Sequence, residues 1–193
     1  MSFLIVVLLV LLVGGAWALR VRARRSAWVK AADVLGFELE PEVLGGPPKM
    51  SGVIDNHTVT VEVDSERVRK APSIFTHYEI SIRTNLPKLR MTRRQKSTLM
   101  QGLVGGVDAP IGDAAFDEVI IVDTLDPDAL SKRLSAEARL ALIELFQLHP
   151  ISVVSETRVR LATGKQERKA DNLIANSRRV GALAQLLITR LDP

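Results

Sequence analysis

The stretch FLIVVLLVLLVGGAWAL, residues 3–19, constrains this chain more than any other. It holds 17 residues without a charge or a strongly polar side chain. As a helix it is about 25 Å long, close to the shortest length that crosses a hydrocarbon core of roughly 30 Å. Met1, Ser2 and the stem of Arg20 extend that reach by snorkelling. Trp17 falls near the carboxyl end of the run, where an interfacial aromatic lies.

The flank on the carboxyl side of the run is strongly basic. Arg20, Arg22, Arg24, Arg25 and Lys30 place five positive charges ahead of the first acid, Asp33. The net charge is +4, and the chain beyond Lys30 carries 21 basic and 22 acidic residues, so the excess belongs to this one segment. Basic residues beside an apolar run are the pattern of a membrane flank, not of a nucleic-acid face. Ala16-Trp17-Ala18 resembles a leader cleavage site. A leader, however, wants its positive charges before the apolar run, and here they come after it. The expectation is an uncleaved single-pass anchor over residues 1–19 in a bacterial inner membrane. Its amino terminus would lie outside and the remainder in the cytoplasm. The five cations would then meet anionic lipid head groups, each contributing on the order of 1 kcal/mol.

The rest of the chain divides into a basic juxtamembrane helix (20–37), a Pro/Gly linker (38–49) and a domain over 50–193. Trp28, Ala31, Ala32 and Leu35 share one helical face, and Gly36 is a natural stop. Alternation at 58–63 beside Asp55-Asn56-His57 predicts a β-hairpin, and residues 74–84 a third strand. Residues 88–101 are ambiguous between strand and helix, and 102–113 read as a loop. A strand is expected at Glu118–Val122. Asp126-Pro127 and Ser135 mark two helix starts. Strands at 151–155 and 157–162 and an amphipathic helix at 168–191 complete the order. Strands this close in sequence pair as hairpins, so the fold class is α+β with a mainly antiparallel sheet.

Chemistry is sparse. The chain has no cysteine, which removes disulfides, thiolate metal sites and a thiol nucleophile. His57, His77 and His149 lack partners at metal-ligand spacing, and no phosphate-binding or nucleophile-elbow motif occurs. No cofactor is indicated. Charge does segregate: nine basic residues lie between Glu66 and Lys96, and seven acids with no base lie between Asp108 and Asp128. The acidic stretch makes Asp108, Asp113 and Asp117 a candidate cation or acid/base site. The plainer account gives Asp113 a capping or turn role and Phe116 a place in the core.

Gly112, Asp113, Phe116 and Asp117, followed by Leu130, Leu134, Arg139, Ala141 and Leu142, form a pattern spanning about 110–162. It resembles uncharacterised bacterial proteins of myxobacterial type, in which a GD-x-x-F-D strand entry precedes a helix and a final hairpin. The resemblance implies a membrane-anchored domain and no activity. Together these readings predict a non-enzymatic, membrane-tethered binding domain for the bilayer surface or a protein partner. The alternative is a tethered enzyme or cation-binding domain using the loop 108–117.

Overall fold

The computed structural model describes residues 2–41, 47–68, 71–82, 88–94 and 108–191. The apolar run does not end as a separate element. It is the first half of one helix, α1 (Ser2–Leu35), which continues without a break through the arginines. Its second half lies on the body of the protein, with Trp28, Ala31 and Ala32 buried. Gly36, at φ +67°, takes the left-handed conformation that ends the helix. Most side chains between residues 3 and 18 lie outside the described set, while Ile5, Leu11 and Leu19 are exposed.

Among the described residues no helix is long and apolar enough to cross a membrane. That corrects the expected transmembrane anchor. The single-pass topology, the inner-membrane location and the membrane-tethered function built on the anchor are corrected with it. The physical reason lies in continuity. The element carrying the run also carries Arg22, Arg24, Arg25 and Lys30, and it is fastened to the sheet by Trp28.

The described strands are β1 (Glu38–Leu39), β2 (Lys49–Ile54), β3 (His57–Val68), β4 (Ala71–Ser81), β5 (Leu89–Arg93), β6 (Ile120–Thr124), β7 (Val153–Ser155) and β8 (Arg158–Thr163). They form one sheet in the order β1-β2-β3-β4-β8-β7-β5-β6, with every neighbouring pair antiparallel. Asp55 and Asn56, both at positive φ, make the tight β2–β3 turn. Helices α2 (Ala114–Val119), α3 (Pro127–Arg133), α4 (Ala136–Leu148) and α5 (Ala170–Leu191) complete the α+β fold.

Alternation in the strands separates the two faces. Val59, Val61, Tyr78, Ile80, Met91, Val159 and Leu161 point to one side and are fully buried. Against them pack α1, α4 and α5, the last through Leu173, Val180, Ala184 and Leu187. Each large side chain removed from water contributes roughly 1.5–3 kcal/mol, so this two-layer contact dominates the stability of the fold. Gly52 on β2 has no Cβ because the Phe37 ring lies where one would be.

Glu167 knits the layers together. Its backbone carbonyl accepts from Trp28 Nε1 of α1 at 3.1 Å, and its backbone N–H donates to Thr76 Oγ1 of β4 at 2.8 Å. Its carboxylate accepts from the backbone N–H of Arg168 and Lys169 at the entry to α5.

Candidate functional site

The acidic loop is built around two arginines. Asp113 caps α2, its Oδ1 accepting from the Phe116 N–H at 3.2 Å, while Oδ2 pairs with Arg139 Nη1 at 3.1 Å. These two partners, the backbone amide first, hold its carboxyl below the usual carboxylate range. Asp117 turns back on the loop, accepting from the N–H of Ile111 at 3.0 Å and of Gly112 at 3.1 Å. Asp108 Oδ2 pairs with Arg94 Nη2 at 2.6 Å, and Arg94 Nε donates to the Asp117 carbonyl at 2.8 Å. The three acids therefore run from the loop through the cap into the first turn of α2, each engaged by its own protein donor. Among the described residues, no three His, Asp or Glu side chains gather as a metal ion requires.

Phe116 is fully buried beneath this loop, and the chain around Asp117 is helical, not extended. The strand expected at Glu118–Val122 begins at Ile120. Before it, Ala109 N–H donates to the Val122 carbonyl at 2.8 Å, so the loop runs along the outer edge of β6. This shields an edge that would otherwise offer free backbone groups to another chain.

The basic set lies on α1. Arg22, Arg25 and Lys30 are exposed and Arg24 is partly buried, whereas the Arg20 side chain is outside the described residues. On the sheet face opposite the helices a trough of about 670 Å3 is lined by charges. Most of these neutralise one another: Lys88 pairs with Asp123 at 2.7 Å, and Glu79 lies 3.5 Å from Arg158 and 3.9 Å from Arg160.

A different arrangement occupies the corner where α4 ends and α5 begins. There a cavity of about 630 Å3 lies between the α4 carboxyl end, the end of β8 and one face of α5. Asn172, Asn176 and Arg179 stand at i, i+4 and i+7, so the helical period puts all three on that face. His149, the residue that ends α4, comes to the same place because its N–H closes the helix on the Leu145 carbonyl. Arg179 Nη1 donates to Asn176 Oδ1 at 3.1 Å and to His149 Nε2 at 3.4 Å. The second bond requires the imidazole to be neutral, with its lone pair on Nε2. Burial, and then the Arg179 charge, push the His149 pKa below its ordinary value, against a smaller opposing pull from Glu144.

Glu144 stands 3.7 Å from Arg179 Nη2 and is itself largely exposed. The guanidinium is thus aimed by two neutral acceptors, and Glu144 forms a longer, solvent-exposed ion pair with it. Behind it, burial raises the pKa of the Tyr78 hydroxyl, which stays protonated beside Asn176. In the sequence His149 reads as a helix stop, and Arg179 carries no local motif of its own. The i, i+4, i+7 polar face of α5 is the available signal for it. Its link to His149 is a tertiary contact.

No family of known proteins matches the sequence, and neither does any curated protein. Among solved structures the chain is similar to the crystal structure of the mycobacterial trehalose monomycolate transport factor A, TtfA. The match has 14% sequence identity and a TM-score of 0.48, covering 87% of this chain and 96% of that chain. A likeness this distant carries nothing about function.

Proposed function

We propose that this chain is a binding domain whose ligand site is the corner cavity, with Arg179 as the group that receives an anion. The observation that supports the reading is the state of that guanidinium. Asn176 and His149 hold it in place without neutralising it, and its one ion pair, at 3.7 Å, is with the largely exposed carboxylate of Glu144. An arginine positioned by neutral partners, whose one ion pair is solvent-exposed and contributes little, can exchange that carboxylate for a bound anion. That is the preorganisation an anion receptor needs. A volume of about 630 Å3 falls in the range of small-molecule sites. The acidic loop supports a different role, since the carboxylates of Asp113 and Asp117 are both consumed in backbone contacts that shape the chain.

The test is a titration of isotopically labelled protein with acetate, phosphate and sulfate at constant ionic strength. Resonances of Arg179, His149 and Asn176 should move saturably with at least one of these anions, and Arg179→Gln should abolish the saturation. Shifts that grow linearly, or that saturate equally in the variant, would overturn the reading.

A further inference from the structure

We infer that the corner cavity is bipolar and takes a zwitterion, its anionic group at the Arg179 end and its ammonium at Glu167. This rests on the reading of Arg179 as an anion receptor and adds an opposite pole to the same cavity.

Glu167 is the one acid among the described lining residues. It is 4% exposed, unusually low for a charged side chain. Its Oε1 accepts from the backbone N–H of Arg168 at 3.0 Å and of Lys169 at 3.4 Å, which hold the carboxylate in place ahead of α5. The dipole of that helix favours its negative charge. Among the described residues nothing engages Oε2, and the atom is not sealed in the interior. An acceptor in that state on a cavity wall opens onto the cavity and lacks a donor. Asp113 and Asp117 differ, since both oxygens of each are taken.

The surrounding charges say which donor belongs there. Lys165 lies two residues away in sequence, yet it makes no ion pair with Glu167 among the described contacts, and its side chain is exposed. Arg179 pairs with Glu144, and His149 is a neutral acceptor. The Glu167 charge is therefore met by backbone amides and by no cation of the lining. A ligand hydroxyl would supply the missing donor; an ammonium supplies the donor and the missing charge together. At the other pole Arg179 has Lys165 as a second cation in the lining, so that end takes a carboxylate or a phosphate alike. The selective group is Glu167.

Asn172 and Asn176 stand between the poles, one turn apart on α5. Asn172 has no hydrogen bond among the described residues, which leaves its carboxamide oxygen as a further acceptor for an ammonium. Lys169, at the Glu167 pole, and Asn176, which holds Arg179, are seven residues apart, about 10 Å of helical rise. The ligand must then carry its two charges at separated ends.

Calorimetry on the full chain compares 6-aminohexanoate, hexanoate, acetate and glycine. The first should bind about tenfold more tightly than hexanoate, the effect of one charge-assisted hydrogen bond. Glycine, whose charges are held by a single methylene, should bind no better than acetate. Glu167→Gln keeps an oxygen for the Arg168 and Lys169 N–H groups and removes the charge. It should erase the 6-aminohexanoate advantage and leave acetate binding intact, which also reports that the variant is folded. Arg179→Gln should abolish acetate binding. Equal binding of 6-aminohexanoate and hexanoate by the wild type would overturn the zwitterion and leave the anion site standing, whether or not the variants fold. An advantage that survives Glu167→Gln would do the same, and glycine matching 6-aminohexanoate would overturn the two-pole span. Acetate binding that is indifferent to Arg179→Gln would bring down the anion reading and this inference with it.

Discussion

Asp113 shows how one carboxylate can serve two elements at once. It closes the first turn of α2 through the Phe116 N–H and anchors α4 through Arg139, whose Nη2 also donates to the Ser131 carbonyl. Replacing Asp113 with Ala removes a helix cap, a change that costs about 1 kcal/mol. Replacing it with Asn keeps an acceptor for Phe116 and should cost less. The pH dependence separates cap from charge. A carboxyl whose folded pKa is depressed contributes stability above its unfolded value of 3.8, and that contribution is lost as pH falls through the folded value. Urea unfolding of the wild type should therefore show an extra decline below about pH 4 that Asp113→Asn lacks. Identical acid limbs in the two proteins would rule out this linkage. The residue's capping role is readable from its position before Ala114. Its bond to Arg139, 26 residues away, is not, because a contact between separate elements leaves no local spacing.

At the level of elements, Arg94 decides how the loop ahead of α2 meets the sheet. It follows β5, and its backbone N–H donates to the Val119 carbonyl at 2.7 Å, while its side chain reaches both Asp108 and the Asp117 carbonyl. One forked cation thus carries the β5–β6 pairing beyond its last register pair and fastens the loop over the β6 edge. Arg94→Ala should destabilise the fold by about 1.5–3 kcal/mol, the range for hydrogen bonds to charged groups. Arg94→Lys should recover little, since a point charge cannot serve an Nε and an Nη partner together. Limited proteolysis checks the geometry: cleavage near Asp108–Gly112 should accelerate in both variants before global unfolding does. Equal cleavage rates in wild type and Arg94→Ala would show that the loop is held by something else. Local chemistry makes the other element starts legible. Asp126 and Ser135 accept from the N–H three residues on, as their positions ahead of Pro127 and Ala136 indicate. The short helix at 114–119 looks like strand entry in the sequence, because six residues give too little periodicity to tell the two apart.

Across the whole molecule, the sheet joins segments far apart in sequence: β4 pairs with β8 and β5 with β7, neither being a hairpin. Alternation in each strand announces which residues are buried, whereas strand order follows from how the faces pack. The same holds for α1, where hydropathy describes a window and the structure shows a longer element docked by Trp28. The corner cavity is a product of that assembly. It requires the end of α4, the end of β8 and the polar face of α5 in one place, which no single segment encodes. Its chemistry should be visible in the behaviour of the entire fold. His149 is a base whose folded pKa lies below its ordinary 6.5, so folding favours the neutral ring. The unfolded chain then takes up the proton first as pH falls. This contribution to stability is full above 6.5 and declines through the window down to the depressed folded value. Thermal melts should show the melting temperature falling across that window in the wild type and less so in His149→Gln, which retains an acceptor for Arg179. A carboxylate bound at Arg179 offsets the charge that, after burial, most opposes protonation of His149. Saturating acetate should therefore raise the melting temperature more at the acid end of the window than above it, with the difference lost in His149→Gln. A ligand increment independent of pH in the wild type would show that the bound carboxylate and His149 do not share one electrostatic site.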